Sequence, residues 1–240
     1  MSDSPPQQNL LPDFEQAQVA TIALMRDVVS SLDVGMTTAD IHSLAMQKAQ
    51  QRQIFTGWFH RPEIFLNRGE SRRSTATALQ PGTIVQIDLA PATENAFGDF
   101  GYSFTFQGDE HPSVHEAREV CKATCGFASR FKCVGELFVF AQSWSNNHRL
   151  KLAARHHIGH ACLPREGLIR QGWPMGARLS IRLRRNQIQW YNPRRISGVY
   201  AINPPVLHQN RMVAFEEMVF VDGDQKVILG RASLDEVGTL

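Results

Sequence analysis

Two aspartates, Asp88 and Asp99, stand 11 residues apart in the stretch TIVQIDLAPATENAFGDFGYSFTF, Thr83 to Phe106. Thr83, Val85, Ile87 and Leu89 alternate with Ile84, Gln86 and Asp88. Phe100, Tyr102, Phe104 and Phe106 alternate with Asp99, Gly101, Ser103 and Thr105. A period of two predicts two strands joined by a short loop. Aspartate is a poor strand residue, so one on each strand needs a cause. A solvated loop edge is one cause. Two carboxylates carried by adjacent strands onto one metal site is the sharper one. Further donors lie downstream. Arg155-His156-His157-Ile158-Gly159-His160 sets three histidines within five residues, and Glu216-Glu217 falls in an alternating run. In that run Glu216 shares a face with Ala214 and Met218, and Glu217 shares the other with Phe215 and Val219. Oxygen and imidazole donors together suit Mn, Fe, Co or Zn, and a metal so held polarises a carbonyl and activates water for hydrolysis.

Helices and turns must position these groups. From Asp13 to Leu32 the residues Ala17, Thr21, Leu24, Val28 and Leu32 recur at helical spacing, and Gly35 follows as a stop. Thr37 with Asp40 predicts a capping box opening a second helix. Ile54 to Ser74 shows no clear period, and Pro62, Asn67 and Gly69 suggest turns around short strands. Pro81-Gly82 turns the chain into the aspartate hairpin. Beyond Gly108, Val114, Ala117, Cys121, Thr124, Ala128 and Phe131 form one helical stripe. A shorter helix is expected over Glu136–His148 with Leu137, Phe140, Ala141 and Trp144 inward. Strands are expected at Arg178–Arg185, Ile196–Ile202 and Val213–Val221. The order helix, helix, strands thus occurs twice. It predicts an α+β domain over residues 13–240, helices packed on a mostly antiparallel sheet, after a disordered lead-in at 1–12.

Composition bounds the setting. The chain has 240 residues, 42% hydrophobic and 20% charged, enough for a real core. No apolar run approaches a membrane span, and the N-terminus lacks the pattern of a signal peptide, so a cytoplasmic location is expected. Of the four cysteines, Cys121 and Cys125 are one helical turn apart, which reads as packing rather than a metal pair, and no disulfide is expected. The net charge is +2, yet eight arginines and only Glu166 among acids lie between Arg165 and Arg195. That stretch is either a solvated face or a contact for an anionic partner. Trp190 and Tyr191 beside it are candidates for a homodimer contact.

The order of these features resembles the pita-bread-fold metallopeptidases, the group of methionine aminopeptidase, aminopeptidase P, prolidase and creatinase. The resemblance runs from about Phe14 to Leu229. LDVGMTTADI resembles the opening helix pair, IVQIDLAP and GDFGYSFTF the two metal-aspartate strands, and RHHIGH the His-Gly-Ile-Gly segment. PMGARLSIRLR resembles a strand ending in a glutamate ligand, and AFEEMVFVDGD the last strand, with its bridging glutamate. It implies a curved, mostly antiparallel sheet flanked by two helix pairs with pseudo-twofold duplication. It also implies Asp88, Asp99, His156 and Glu216 as metal ligands. His160 rivals His156 and is otherwise a group supporting the ligands.

Departures from the family pattern shape the functional expectation. The other glutamate ligand falls on Arg182, and a cation does not ligate a metal. The substrate-contacting histidine falls on Leu163. A third histidine would fall near Glu70 to Ser74, where there is none, and His60 lies too early unless the intervening loop is rearranged. The resemblance therefore implies a divergent aminopeptidase- or prolidase-like hydrolase of peptides or small molecules. It would hold one divalent ion rather than two, with Arg182 binding a substrate carboxylate or compensating charge. The alternative is a non-catalytic binding module in which Arg182 replaces the metal and the arginine-rich face binds nucleic acid or another anionic partner.

Overall fold

The computed structural model describes residues 11–71, 73–153, 157–162 and 186–230. Helices α1 (Leu11–Val29) and α2 (Thr38–Gln51) come first, then strands β1 (Gly57–Leu66), β2 (Ile84–Ala92) and β3 (Phe100–Thr105). Helices α3 (Pro112–Phe127) and α4 (Val134–Asn147) follow. The remaining strands are β4 (Lys151–Leu152), β5 (Gly159–Ala161), β6 (Gly198–Ile202), β7 (Val206–His208), β8 (Arg211–Val213), β9 (Glu217–Asp222) and β10 (Gln225–Ile228). The expected order of helix pair and strands, twice over, is what the chain adopts. No helix among the described residues is long and apolar enough to cross a membrane. The strand expected at Arg178–Arg185 lies outside the described residues.

Strand pairing is antiparallel throughout the described sheets, in the orders β1-β2-β3, β10-β9-β6-β5 and β4-β7-β8. An isolated bridge between Gly101 and Glu216 joins the first sheet to the second. Ser103 strengthens this seam, its buried Oγ donating to the Ala214 carbonyl at 2.7 Å. α1 packs with α2 and α3 with α4, and both pairs lie against strands.

The sequence periods explain the packing. The face of α1 carrying Ala17, Thr21, Leu24 and Val28 is buried. Thr37 and Asp40 form the expected reciprocal capping box on α2, which satisfies amides that would otherwise lack partners. Val85, Ile87, Leu89, Phe100 and Tyr102, the apolar face of the hairpin, enter the large core. Cys121 and Cys125 are fully buried free thiols on α3 that join the core, and their sulfurs also lie within 4.8 Å of each other and of a Glu217 carboxylate oxygen. Two expectations shift. Residues 57–66 form one ten-residue strand rather than short pieces. The fourth helix begins earlier, at Val134, and buries Phe138, while Phe140 is only partly covered.

Candidate metal centre

The site is built where the two sheets meet. β2 carries Asp88, opposite Gly101 of β3. Asp99 immediately precedes β3 and is held from α1: the Asp99 amide donates to Gln18 Oε1 at 2.9 Å, and Gln18 Nε2 donates to the Asp99 carbonyl at 3.1 Å. Glu216 sits just before β9, exchanging backbone hydrogen bonds of 2.9 and 3.3 Å with Gly101. His160 lies in the middle of β5, opposite Ala201 of β6. Two strand interiors, at Asp88 and His160, and two strand starts, at Asp99 and Glu216, thus turn three carboxylates and an imidazole toward one cavity.

His60, too early in the chain to be expected here, also reaches the site. Its Nε2 is 3.6 Å from Asp88 Oδ1 and 3.7 Å from Asp99 Oδ1. The cause is the β1–β2 register, which shifts on both sides of His60, between Trp58 and His60 and between His60 and Glu63. Glu63 pairs with Asp88, so an unbroken ladder would set Arg61 opposite Ala90, but His60 takes that place. Arg61 and Pro62 face the single residue Leu89, and Pro62 has no N–H to give the ladder.

His160 Nε2 approaches Asp99 Oδ2 at 3.1 Å, close enough to pair although not aligned as a hydrogen bond. His60–Asp88–Asp99 and Asp99–His160–Glu216 each bring their donor atoms within 4.8 Å of one another, so Asp99 is common to both triads. Asn203, which no sequence signal marked, donates from Nδ2 to Glu216 Oε2 at 2.7 Å and orients that carboxylate. His156, Leu163 and Arg182 lie outside the described residues. Of the two rival histidines, His160 is the one the described structure brings to the carboxylates.

These groups line a cavity of about 370 Å³ together with Phe59, Arg68 and Gln86. Phe59 stacks on Phe97, ring centroids 4.2 Å apart, and lies 5.5 Å from the His160 ring, forming an apolar wall. Burial in this wall governs the ionisation. It raises the Asp88 carboxyl to about 7, with the negative charge of Asp99 adding and His60 only partly opposing. Burial, then the charges of Asp99 and Asp88, push Glu216 well above the usual carboxylate range. Burial would lower both imidazoles, but the carboxylates outweigh it: Asp88 and Asp99 raise His60 strongly, and Asp99 with Glu216 raises His160. Burial also acts to raise Asp99, yet His160 and His60 reverse this and hold it down at about 2.

A divalent cation fits this donor set. Asp88 Oδ1 and both side-chain oxygens of Asp99 are buried without a hydrogen-bond partner, a costly state for a carboxylate unless a cation compensates it. Carboxylate with imidazole is chemistry for Mn, Fe, Co or Zn.

Gly101 is the tightest point of the seam. A Cβ there would lie 2.9 Å from Glu216 Cβ and 3.2 Å from its amide nitrogen. Gly101→Ala is therefore expected to push Glu216 from its place and weaken cation binding by about tenfold or more, the scale seen when groups supporting a ligand are lost. Calorimetric titration checks this, and unchanged affinity would show that Glu216 does not contribute.

Neither the scan against protein-family models nor the search of curated proteins finds a match. Solved structures do match. An X-Pro aminopeptidase from Thermotoga maritima superposes with a TM-score of 0.71 at 16% identity, covering 93% of this chain and 61% of its own. A prolidase from Thermococcus sibiricus gives 0.72 at 12% identity, covering 93% and 59%. A methionine aminopeptidase from Thermotoga maritima gives 0.67 at 16% identity, covering 95% and 98%. The chain has the pita-bread fold of these metallopeptidases. It spans about three-fifths of the X-Pro aminopeptidase and prolidase chains and nearly all of the methionine aminopeptidase. At such identities the likeness is one of fold, and the chemistry rests on the site itself.

Proposed function

We propose that the chain is a divalent-metal hydrolase of the aminopeptidase or prolidase type, holding one cation on Asp88, Asp99, Glu216 and His160. The observation that carries this reading is the set of buried carboxylate oxygens without hydrogen-bond partners at the floor of the cavity. Bound there, such a cation supplies Lewis acidity and lowers the pKa of water. The chain's own residues do the rest. Gln18 and the Gly101 seam fix Asp99 and Glu216, so the ligands are preorganised rather than assembled on binding. Asn203 holds the Glu216 carboxylate in one orientation. Phe59 against Phe97 keeps water from one side. Arg68, within hydrogen-bond reach of Gln86 at 3.3 Å, brings a positive charge to the cavity wall that suits a substrate carboxylate. Arg182, which stands where the resemblance puts a glutamate ligand, is a second candidate for that role.

Metal analysis of the full chain after loading with Mn, Fe, Co or Zn, followed by hydrolysis of short peptides with methionine or an X-Pro bond at the N-terminus, tests the proposal. One equivalent of metal with chelator-sensitive hydrolysis is expected. A chain that takes up no metal but binds nucleic acid in a salt-sensitive, chelator-insensitive way would instead be the non-catalytic module, its Arg165–Arg195 stretch doing the binding.

A further inference from the structure

We infer that His60 is an inner ligand of the bound cation, closing a His60–Asp88–Asp99 triad absent from the motif order along the chain. The inference rests on the cation reading above. His60 Nδ1 lies 2.9 Å from the Arg61 carbonyl oxygen. A carbonyl only accepts, so Nδ1 carries the hydrogen and donates it. In the neutral ring Nε2 is then a lone pair. Nε2, the other ring nitrogen, faces two carboxylate oxygens, Asp88 Oδ1 and Asp99 Oδ1. Such a cluster is held together by a positive charge, either a proton on the ring or a cation between the three groups.

Distance distinguishes a proton from a metal as that charge. A proton shared between an imidazole nitrogen and a carboxylate draws them to about 2.7–2.9 Å. Here the nitrogen is nearly equidistant from two oxygens, at 3.6 and 3.7 Å, and neither oxygen has a hydrogen-bond partner. Two donors each about 2.1 Å from one ion stand roughly 3.0–4.2 Å apart, depending on the angle between them. Both separations fall inside that span. The backbone acceptor on Nδ1 is also the usual orienting device of a ligating imidazole, and His160 has the same arrangement, its Nδ1 lying 3.3 Å from the Ala161 carbonyl. The shifted β1–β2 register supplies the placement, since without the shift Arg61 would stand opposite Ala90. A nitrogen donor here tilts the site toward Fe, Co or Zn and away from Mg or Ca.

The test uses the full chain with Co²⁺ for affinity and Cu²⁺ for counting coordinated imidazoles by pulsed electron paramagnetic resonance. His60→Ala is expected to lose one imidazole from the count and to weaken Co²⁺ binding by about 10- to 100-fold, and added free imidazole should restore part of the affinity. His60→Gln, which keeps a polar side chain on the strand, gives the same reading if the alanine variant folds poorly. Parent-like affinity and imidazole count in a folded variant overturn the inference alone. Absence of Co²⁺ binding in the parent chain overturns both it and the proposed function.

Discussion

Asp99→Asn is expected to abolish the thermal stabilisation that a divalent cation confers. Asp99 belongs to both triads that line the cavity, so a cation held there by either draws on it. A ligand at a thousandfold excess over its Kd stabilises by about 4.1 kcal/mol. For a chain of this size that corresponds to a rise in Tm of roughly 8–16 °C, at about 2–4 °C per kcal/mol. The amide variant keeps the shape of the side chain but loses the charge. Its backbone stays anchored, because both Gln18 hydrogen bonds go to the Asp99 main chain and not to the carboxylate. The metal-free variant should therefore remain folded while the cation-induced rise disappears, and hydrolytic activity with it. A scanning-calorimetry trace in which Asp99→Asn still gains the parent's increment with metal would remove the carboxylate cluster from the mechanism.

The second large effect is structural. Gly159→Ala should cost at least about 3 kcal/mol, the range of strained backbone combined with a buried clash, and lower Tm by roughly 6–12 °C. Gly159 has φ of 132°, a region that side chains rarely adopt, and a Cβ there would stand 2.0 Å from the Ala201 carbonyl oxygen. The obstacle is backbone of β6, so it cannot swing aside. Because His160 is the next residue and pairs with Ala201, the variant that does fold should also bind cation more weakly. Chemical denaturation measures the first effect and titration the second. A variant as stable as the parent would mean that β5 does not pack on β6 as described.

Much of the first half of the site was legible in the chain. Asp88 and Asp99 stand out because acids interrupt two alternating apolar runs, and period-two patterning is local. The same patterning assigned Val85, Ile87, Phe100 and Tyr102 to the core, where they lie. The capping box on α2 is equally local and was equally readable. A run of strand character marked Glu216 and Glu217 alike, on opposite faces, and only the family resemblance favoured Glu216. The choice between His156 and His160 could not be made from spacing, because three histidines near one glycine look alike until a strand register orders them. β5 pairing with β6 is what directs His160 to Asp99.

The sequence by itself therefore marked the acids that could ligate a metal, Glu216 and Glu217 undivided, and the kind of element they ride on, since alternation along a strand is written in neighbouring residues. Tertiary structure alone decided which nitrogens meet them. His60 lies 28 positions before Asp88, in a stretch without period, and it reaches the carboxylates because the β1–β2 register shifts on either side of it. Asn203 reaches Glu216 only because β6 runs beside β9. A register shift or a strand neighbour is a property of two segments together. No single segment records it, and for that reason the carboxylate half of the site could be read from the chain and the nitrogen half could not.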